Sequence, residues 1–245
     1  MKTLSALAAV AILPACLLAA VPEGFETDVL PTSQGDLRIT FLGHGTLMFQ
    51  WGGKTIHVDP VSRYADYARL PKADLVLVTH EHGDHLDTGA IEKITTPATA
   101  LVATKVCCDQ LGKGQVMRNG DVRRVAGLSV RAVPAYNIVH MRSPGKAYHP
   151  KGEGNGYVIT FGGRNVYVAG DTENIPEMAE LKNIDVAFLP MNLPYTMTPE
   201  MVASAAKVIR PKILYPYHFG DTDASKLVEL LKGAPEIEVR VRKME

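Results

Sequence analysis

The chain has 245 residues, and its 26 lysines and arginines balance its 26 aspartates and glutamates, so the formal net charge is zero. This balance argues against a nucleic-acid partner, because proteins that neutralise phosphates carry a basic excess. The length suits one large domain or two small ones, and a hydrophobic content of 46% is ordinary for a globular protein.

The N-terminal segment, residues 1–22, differs from the rest of the chain. Lys2 is followed by an uncharged apolar run that ends at Pro22, which is typical of a secretory signal. The letters LPAC, which end at Cys16, resemble a lipoprotein cleavage box in which the cysteine becomes the lipidated first residue. The apolar run continues past Cys16, so cleavage after Ala20 and an uncleaved anchor stay open. We therefore expect export, either to the periplasm or as a membrane-anchored lipoprotein.

A Cys16→Ser variant separates these forms of export. If Cys16 is acylated, the variant should be released from the membrane or remain unprocessed, since the lipid anchor is lost. A chain that is cut after Ala20 should behave like the wild type. Mass spectrometry of the mature N-terminus makes the distinction. An intact Met1 on soluble cytoplasmic protein would contradict export altogether.

Two stretches of the chain, residues 46–60 and 157–172, follow the same plan. Each consists of a predicted strand, a Gly-Gly hairpin turn, a second predicted strand and then an aspartate, Asp59 or Asp171. A further strand preceded by aspartate follows at nearly equal spacing, ADLVLVTH in one case and NIDVAFLP in the other. The pattern indicates two similar halves whose sheets face each other with helices outside. A chance similarity of two hairpins is the alternative.

Ligand-type side chains crowd the stretch THEHGDH, which follows the apolar run Leu75–Val78. That run is typical of a strand buried on both faces. Imidazole and carboxylate groups are the ligands that divalent metals such as zinc prefer. Four such groups from one loop indicate two metal ions rather than one, whereas a solvated polar loop is the alternative. The four are His80, His82, Asp84 and His85.

Two further candidate ligands also follow predicted strands. Asp171 ends a strand in VAGDT, and His218 follows the apolar strand 213–217 in KILYPYHFGD. Strand ends from both halves should converge at one edge, which would bring these groups to the histidine cluster. A turn aspartate and a core or helix-capping histidine are the alternatives.

The motifs THEHGDH, AGDT and PYHFG, in this order, resemble those of the metallo-β-lactamase-fold hydrolases. FLGHGT (41–46), VDP (58–60) and YTMTPE (195–200) are similar to the branch of ascorbate-phosphate lactonases and N-acylphosphatidylethanolamine phospholipase D relatives. The resemblance covers residues 36–245. It implies an α/β fold, a four-layer αββα sandwich of two similar halves, with a two-metal site at the shared edge of the sheets.

The resemblance also implies roles for individual residues. The first metal would be bound by His80 and His82, the second by Asp84, His85 and His218, and both by a bridging Asp171. Asp59 would support the site by orienting a ligand histidine. Asp84 and His44 are the candidate catalytic residues, although His44 is equally well explained as a packed loop histidine.

One position departs from the family pattern. The family has a further histidine for the first metal after the strand that corresponds to residues 128–137, and this chain has Asn137 there. His149 is the favoured substitute, with Asn137 as a weak ligand or a substrate contact. Packing of His149 beside Pro150 is the alternative. His149→Ala should then lower metal occupancy, whereas alanine at His140 should do little.

These residues together predict a metal-dependent hydrolase of a small ester, lactone or phosphodiester. Two divalent ions, zinc first and manganese or iron as alternatives, would lower the pKa of a shared water and so provide a metal-bound hydroxide. Lys151 and Tyr195 are candidate contacts to an anionic substrate group, or else ordinary surface residues. Two other functions stay open, a non-catalytic metal-binding or sensing protein and a phospholipid hydrolase at a membrane to which the N-terminus attaches.

Overall fold

The computed structural model describes residues 23–244. The predicted signal segment and Cys16 lie outside these residues. None of the helices in residues 23–244 combines the length and the apolar character that crossing a membrane requires.

The first half of the described chain forms a mixed sheet of seven strands in simple sequential order. The strands are β1 (Glu26–Thr32), β2 (Gly35–Gly43), β3 (Thr46–Trp51), β4 (Lys54–Val58), β5 (Leu75–Leu77), β6 (Ala100–Ala103) and β7 (Gln115–Val116). Strands β1 to β4 pair antiparallel, and β4 to β7 pair parallel. The predicted hairpin at residues 46–60 is the β3–β4 pair.

The second half repeats this pattern of pairing. Its strands, in chain order, are β8 (Val122–Val125), β9 (Leu128–Ala135), β10 (Met141–Ser143), β11 (Lys146–Ala147), β12 (Gly154–Phe161), β13 (Arg164–Val168), β14 (Val186–Pro190), β15 (Ile213–Tyr217) and β16 (Glu238–Val239). The sheet order is β8, β9, β12, β13, β14, β15, β16, with the first four antiparallel and the rest parallel. Strands β10 and β11 form a separate hairpin with no counterpart in the first half. The predicted pair of similar halves is therefore present.

The helices occupy matching places in the two halves. They are α1 (Thr88–Ile94), α2 (Lys105–Leu111), α3 (Pro199–Ile209), α4 (Ser225–Leu231) and a short 3₁₀ helix (Pro176–Glu180). Three of them begin at a residue whose side chain accepts a backbone N–H of the first turn, which satisfies a donor that the helix leaves free. These residues are Asp87, Thr104 and Thr198. Helix α1 connects the parallel strands β5 and β6, and helix α3 connects the corresponding parallel strands β14 and β15.

The sheets pack face to face, as the alternation along β5 illustrates. Leu75 and Leu77 belong to the core between the sheets, whereas Val76 and Val78 belong to a second core. The second core also contains the buried side chains of α1, so these two valines face the helical layer. Both faces of the strand are thus covered, and the predicted αββα sandwich is confirmed.

Aromatic side chains fill the space between the two sheets. The ring of Phe41, from β2, lies 5.0 Å from the ring of Tyr215, from β15. Phe49, from β3, contacts Phe188 edge-on at 5.9 Å. Such ring pairs add about 0.5–1.5 kcal/mol each beyond the area that they bury. Because these rings come from opposite sheets, they fix the position of one sheet relative to the other and so the relative positions of their loops.

Two hydrogen bonds tie the halves together beside the predicted site. Asn155 N donates to Thr79 O at 2.9 Å, and Tyr157 Oη donates to Val78 O at 2.8 Å. Thr79 directly precedes the histidine cluster, and both donors come from β12. The loop after β5 therefore starts from a position that the second sheet holds in place.

Candidate metal centre

Three histidines bring ring nitrogens together at the edge of the sandwich. His82 Nδ1 lies 3.1 Å from His80 Nε2 and 3.2 Å from His149 Nε2. Tetrahedral zinc, with metal–nitrogen bonds of about 2.0–2.1 Å, places its ligand nitrogens about 3.4 Å apart. The three nitrogens thus have the spacing of ligands to one ion. His149 is part of this group, as the sequence suggested.

A second group of side chains lies beside the first. Asp84 Oδ2 is 3.4 Å from His218 Nε2, 3.8 Å from His85 Nε2 and 3.2 Å from His44 Nε2. The two histidines His85 and His218 are buried, and the Asp84 side chain is 42% exposed. These atoms also lie close enough together to hold one ion.

Asp171 lies between the two groups. Its Oδ2 is 3.2 Å from His149 Nε2 and 3.4 Å from His218 Nε2, and its Oδ1 is 3.3 Å from His85 Nε2. Burial alone would raise the pKa of Asp171, but the imidazoles of His218 and His85 lower it well below its ordinary value. An ionised carboxylate in contact with both groups has the position that the predicted bridging role requires.

Asp59, which follows β4, sets the orientation of two of the histidines. His85 Nδ1 donates to Asp59 Oδ2 at 2.8 Å, and Thr79 Oγ1 donates to the same oxygen at 2.7 Å. Because the Thr79 hydroxyl hydrogen is used in this way, its oxygen accepts from His80 Nδ1 at 3.0 Å. Both histidines therefore direct Nδ1 at these oxygens and turn Nε2 towards the centre. Sequence reasoning did not identify Thr79.

Asn137 has a different role from the predicted one of a weak metal ligand or substrate contact. Its Oδ1 accepts from both His149 N, at 2.9 Å, and His149 Nδ1, at 2.7 Å. Its Nδ2 donates to Glu173 Oε1 and to Tyr195 O. With both ends of the buried amide occupied, Asn137 is neither a ligand nor a substrate contact in this structure. It orients His149, whose Nε2 then lies beside Asp171 and His82.

Glu173, which sequence reasoning missed, anchors the loop that contains Asn137. The buried carboxylate accepts from the backbone N–H groups of Ile138, Val139 and His140, each at 2.7 Å. Burial alone would raise the pKa of Glu173, but these three N–H groups lower it below its ordinary value. His140 Nδ1 also lies 2.7 Å from this carboxylate, which takes His140 away from the metal centre.

His44 and His218 hold each other in an uncommon backbone conformation. Both have positive φ angles, 52° and 49°, which cost energy for residues other than glycine. His218 N donates to His44 O at 3.0 Å, and His44 N donates to Met244 O at 3.1 Å. The two rings lie 3.7 Å apart, centre to centre. His44 is thus a packed loop histidine, and its ring also lies at the candidate centre.

The donor groups fit divalent metal ions. His85 Nε2, His218 Nε2 and Asp171 Oδ1 are buried and have no hydrogen-bond partner within residues 23–244. Leaving such atoms without a partner costs about 1–3 kcal/mol each, and a bound cation would satisfy them. Burial, followed by repulsion from His85, lowers the pKa of His80 well below its ordinary value, which favours the neutral imidazole that metals bind.

An open pocket of about 420 Å³ leads to this centre. Its walls contain a mixture of cationic, aromatic and amide side chains that the sequence did not single out. These are Arg63, Tyr64, Arg142, Tyr148 and Asn192. Tyr195 lines the same pocket, where it was expected, and its ring contacts that of Tyr148 edge-on at 5.1 Å.

Lys151 lies elsewhere, and its predicted contact with substrate is not supported. Lys151 Nζ pairs with Glu177 Oε1 at 2.7 Å and lies 4.8 Å above the ring of Tyr136. It does not line the pocket. The ammonium group is directed instead at Glu177 and Tyr136, neither of which lines the pocket.

Comparison with known proteins agrees with this architecture. Residues 38–218 match the family model described as a β-lactamase superfamily domain. A UPF0173 metal-dependent hydrolase of Methanopyrus kandleri is 33% identical over 195 residues, 75% of this chain and 84% of that protein.

Two solved structures are also similar. A protein of Parabacteroides distasonis, named as a metal-dependent hydrolase, is 49% identical with a TM-score of 0.87, covering 91% of this chain and all of that one. The metallo hydrolase Igni18 of Ignicoccus hospitalis is 26% identical with a TM-score of 0.70, covering 85% and 95%. The chain therefore belongs to the β-lactamase superfamily, whose fold it has, and the predicted resemblance is confirmed at the level of the superfamily. The branch of that superfamily stays a prediction.

Proposed function

We propose that this protein is a hydrolase that depends on two divalent metal ions. The observation that carries the proposal is the place of Asp171, buried between two groups of histidines and within 3.4 Å of a ring nitrogen in each. The names of the similar proteins from Methanopyrus kandleri and Parabacteroides distasonis support metal-dependent hydrolysis.

Each ion would have its own set of ligands. His80, His82 and His149 would hold the first, and Asp84, His85 and His218 would hold the second, with Asp171 shared. Nitrogen and carboxylate donors without thiolates suit zinc, and they also accept manganese or iron. When bound, two such ions supply hydroxide at neutral pH and stabilise negative charge that develops on the substrate.

The protein would contribute fixed orientation and a site for proton transfer. Asp59 and Asn137 hold three of the histidines with their lone pairs towards the ions. His44 lines the pocket, with its Nε2 at hydrogen-bond distance from Asp84 Oδ2. There it can take up or deliver a proton at the bond that is cleaved. An ester, a lactone or a phosphodiester of a small molecule would fit the open pocket.

The site of action is proposed from residues 1–22 alone. Their signal-like composition supports export, and acylation of Cys16 would place the enzyme at a membrane. Turnover of phospholipid vesicles, compared with turnover of a soluble ester, would show whether lipid is the substrate.

Removal of metal tests the proposed function. Prolonged dialysis against a chelator should abolish hydrolysis of p-nitrophenyl acetate, a γ-lactone or bis(p-nitrophenyl) phosphate, whichever the protein cleaves, and zinc should restore it. The melting temperature should fall by on the order of 10 °C, because the ions bind only the folded state. Two bound ions without turnover of any ester, lactone or phosphodiester would instead favour a sensing or storage protein.

A further inference from the structure

Two arginines from opposite halves of the fold line the pocket above the centre. Arg63 belongs to the loop after β4, and Arg142 belongs to β10. Asp84 and Asp171 line the same pocket, and both would face bound cations if the proposed function holds. Among residues 23–244 no other carboxylate lines it, so the pocket wall offers these arginines no further acidic counterpart.

Each arginine lies against a tyrosine of the pocket wall. The Arg63 guanidinium lies 5.9 Å from the ring centre of Tyr64, and that of Arg142 lies 5.8 Å from the ring centre of Tyr148. Within residues 23–244 neither arginine forms an ion pair, whereas Arg240 and Arg242 both pair with Asp28. Stacking on a ring leaves the N–H groups at the edge of a guanidinium available to an incoming anion.

The tyrosines connect the arginines to the rest of the site. Tyr64 stacks on His44 with 5.3 Å between ring centres. Tyr148 directly precedes His149, and the hairpin that carries Arg142 is the insertion absent from the first half. The hairpin thus contributes a cation to the pocket wall, and the residues directly after it contribute His149 to the metal centre.

We propose that Arg63 and Arg142 form an anion-binding subsite, which selects substrates bearing a phosphate, phosphonate or carboxylate group away from the bond that is cleaved. The proposal rests on the proposed function for its role in catalysis, but binding of the anion is separable from turnover. Guanidinium groups match such oxyanions with paired hydrogen bonds.

Binding of phenylphosphonate tests the subsite without turnover, because this anion has no ester bond. Isothermal titration calorimetry on zinc-loaded protein compares wild type with Arg63→Gln, Arg142→Gln and the double variant. Arg124→Gln, on edge strand β8 and outside the pocket, is the matched loss of charge. We expect each pocket variant to weaken binding about tenfold, with unchanged zinc content and unchanged binding in Arg124→Gln.

Benzoate and benzamide distinguish the chemistry that is recognised. If the subsite selects any oxyanion, the arginine variants should weaken benzoate binding as much as they weaken phenylphosphonate binding. If it selects only the phosphonate dianion, they should change benzoate binding little. Neutral benzamide should bind equally to all variants. Equal loss in Arg124→Gln, or no loss in the double variant, would overturn the subsite. Intact arginine-dependent binding in a protein that cleaves no ester would instead count against the proposed function alone.

Discussion

Asp171→Ala should remove both metal ions and lower hydrolysis by about 10³-fold or more, because metal ions supply several kcal/mol of charge stabilisation in such reactions. The carboxylate lies within 3.4 Å of His149, His218 and His85, so its loss removes a donor from both groups. The fold should persist, since the core between the sheets does not depend on this side chain. Elemental analysis together with circular dichroism measures both effects.

Asp185→Ala provides the matched control for Asp171→Ala. Asp185 is also a buried aspartate of the second half, but it accepts from Asn165 N and pairs with Lys212, away from the pocket. This variant should lose stability while it retains its metal. Normal metal content in Asp171→Ala would show that the carboxylate does not bridge two ions.

Glu173→Gln should reduce occupancy of the first metal position nearly as much as His149→Ala does. Both carboxylate oxygens of Glu173 accept hydrogen bonds. Oε2 accepts from Ile138 N and Val139 N, and Oε1 accepts from His140 N and Asn137 Nδ2. A glutamine of the same shape would turn its NH₂ group towards N–H donors at one end, and each donor left unpaired costs about 1–3 kcal/mol. The loop would shift, and Asn137 would no longer orient His149.

Zinc titration monitored by calorimetry would measure this effect as weaker binding of one of the two ions. Glu177→Gln is the control, because Glu177 lies nearby but accepts from Tyr136 Oη and Lys151 Nζ, outside the pocket. Replacement of zinc by cobalt adds a spectroscopic test, since the visible spectrum reports changed coordination. Wild-type zinc affinity in Glu173→Gln would show that the loop needs no such anchor.

The features that the sequence predicted are those that local patterns encode. Predicted strands on either side of a Gly-Gly turn specified two hairpins, β3–β4 and β12–β13. The apolar run Leu75–Val78 specified a strand covered on both faces. The histidine cluster follows that strand directly, so its place at the sheet edge needed no knowledge of distant contacts.

The features that were missed depend on contacts between residues far apart in sequence. Glu173 reaches the N–H groups of residues 138–140, more than 30 positions earlier, and no motif marks it. The hydrogen bonds by which Asn137 orients His149 depend on the path of the chain through the β10–β11 hairpin, which the sequence does not specify. Arg63 and Arg142 meet at one pocket only because the two sheets face each other. The position of Lys151 outside the pocket was missed for the same reason, because its partner Glu177 is distant in sequence.

The central claim is that one protein chain binds two ions through a shared Asp171, and metal stoichiometry tests it most directly. The measurement is elemental analysis of the purified chain after saturation with zinc and dialysis against zinc-free buffer, with Asp171→Ala treated alongside. The account predicts about two zinc ions per wild-type chain and almost none in the variant. A wild-type chain that retains one ion, or a variant that retains as much zinc as the wild type, would contradict it.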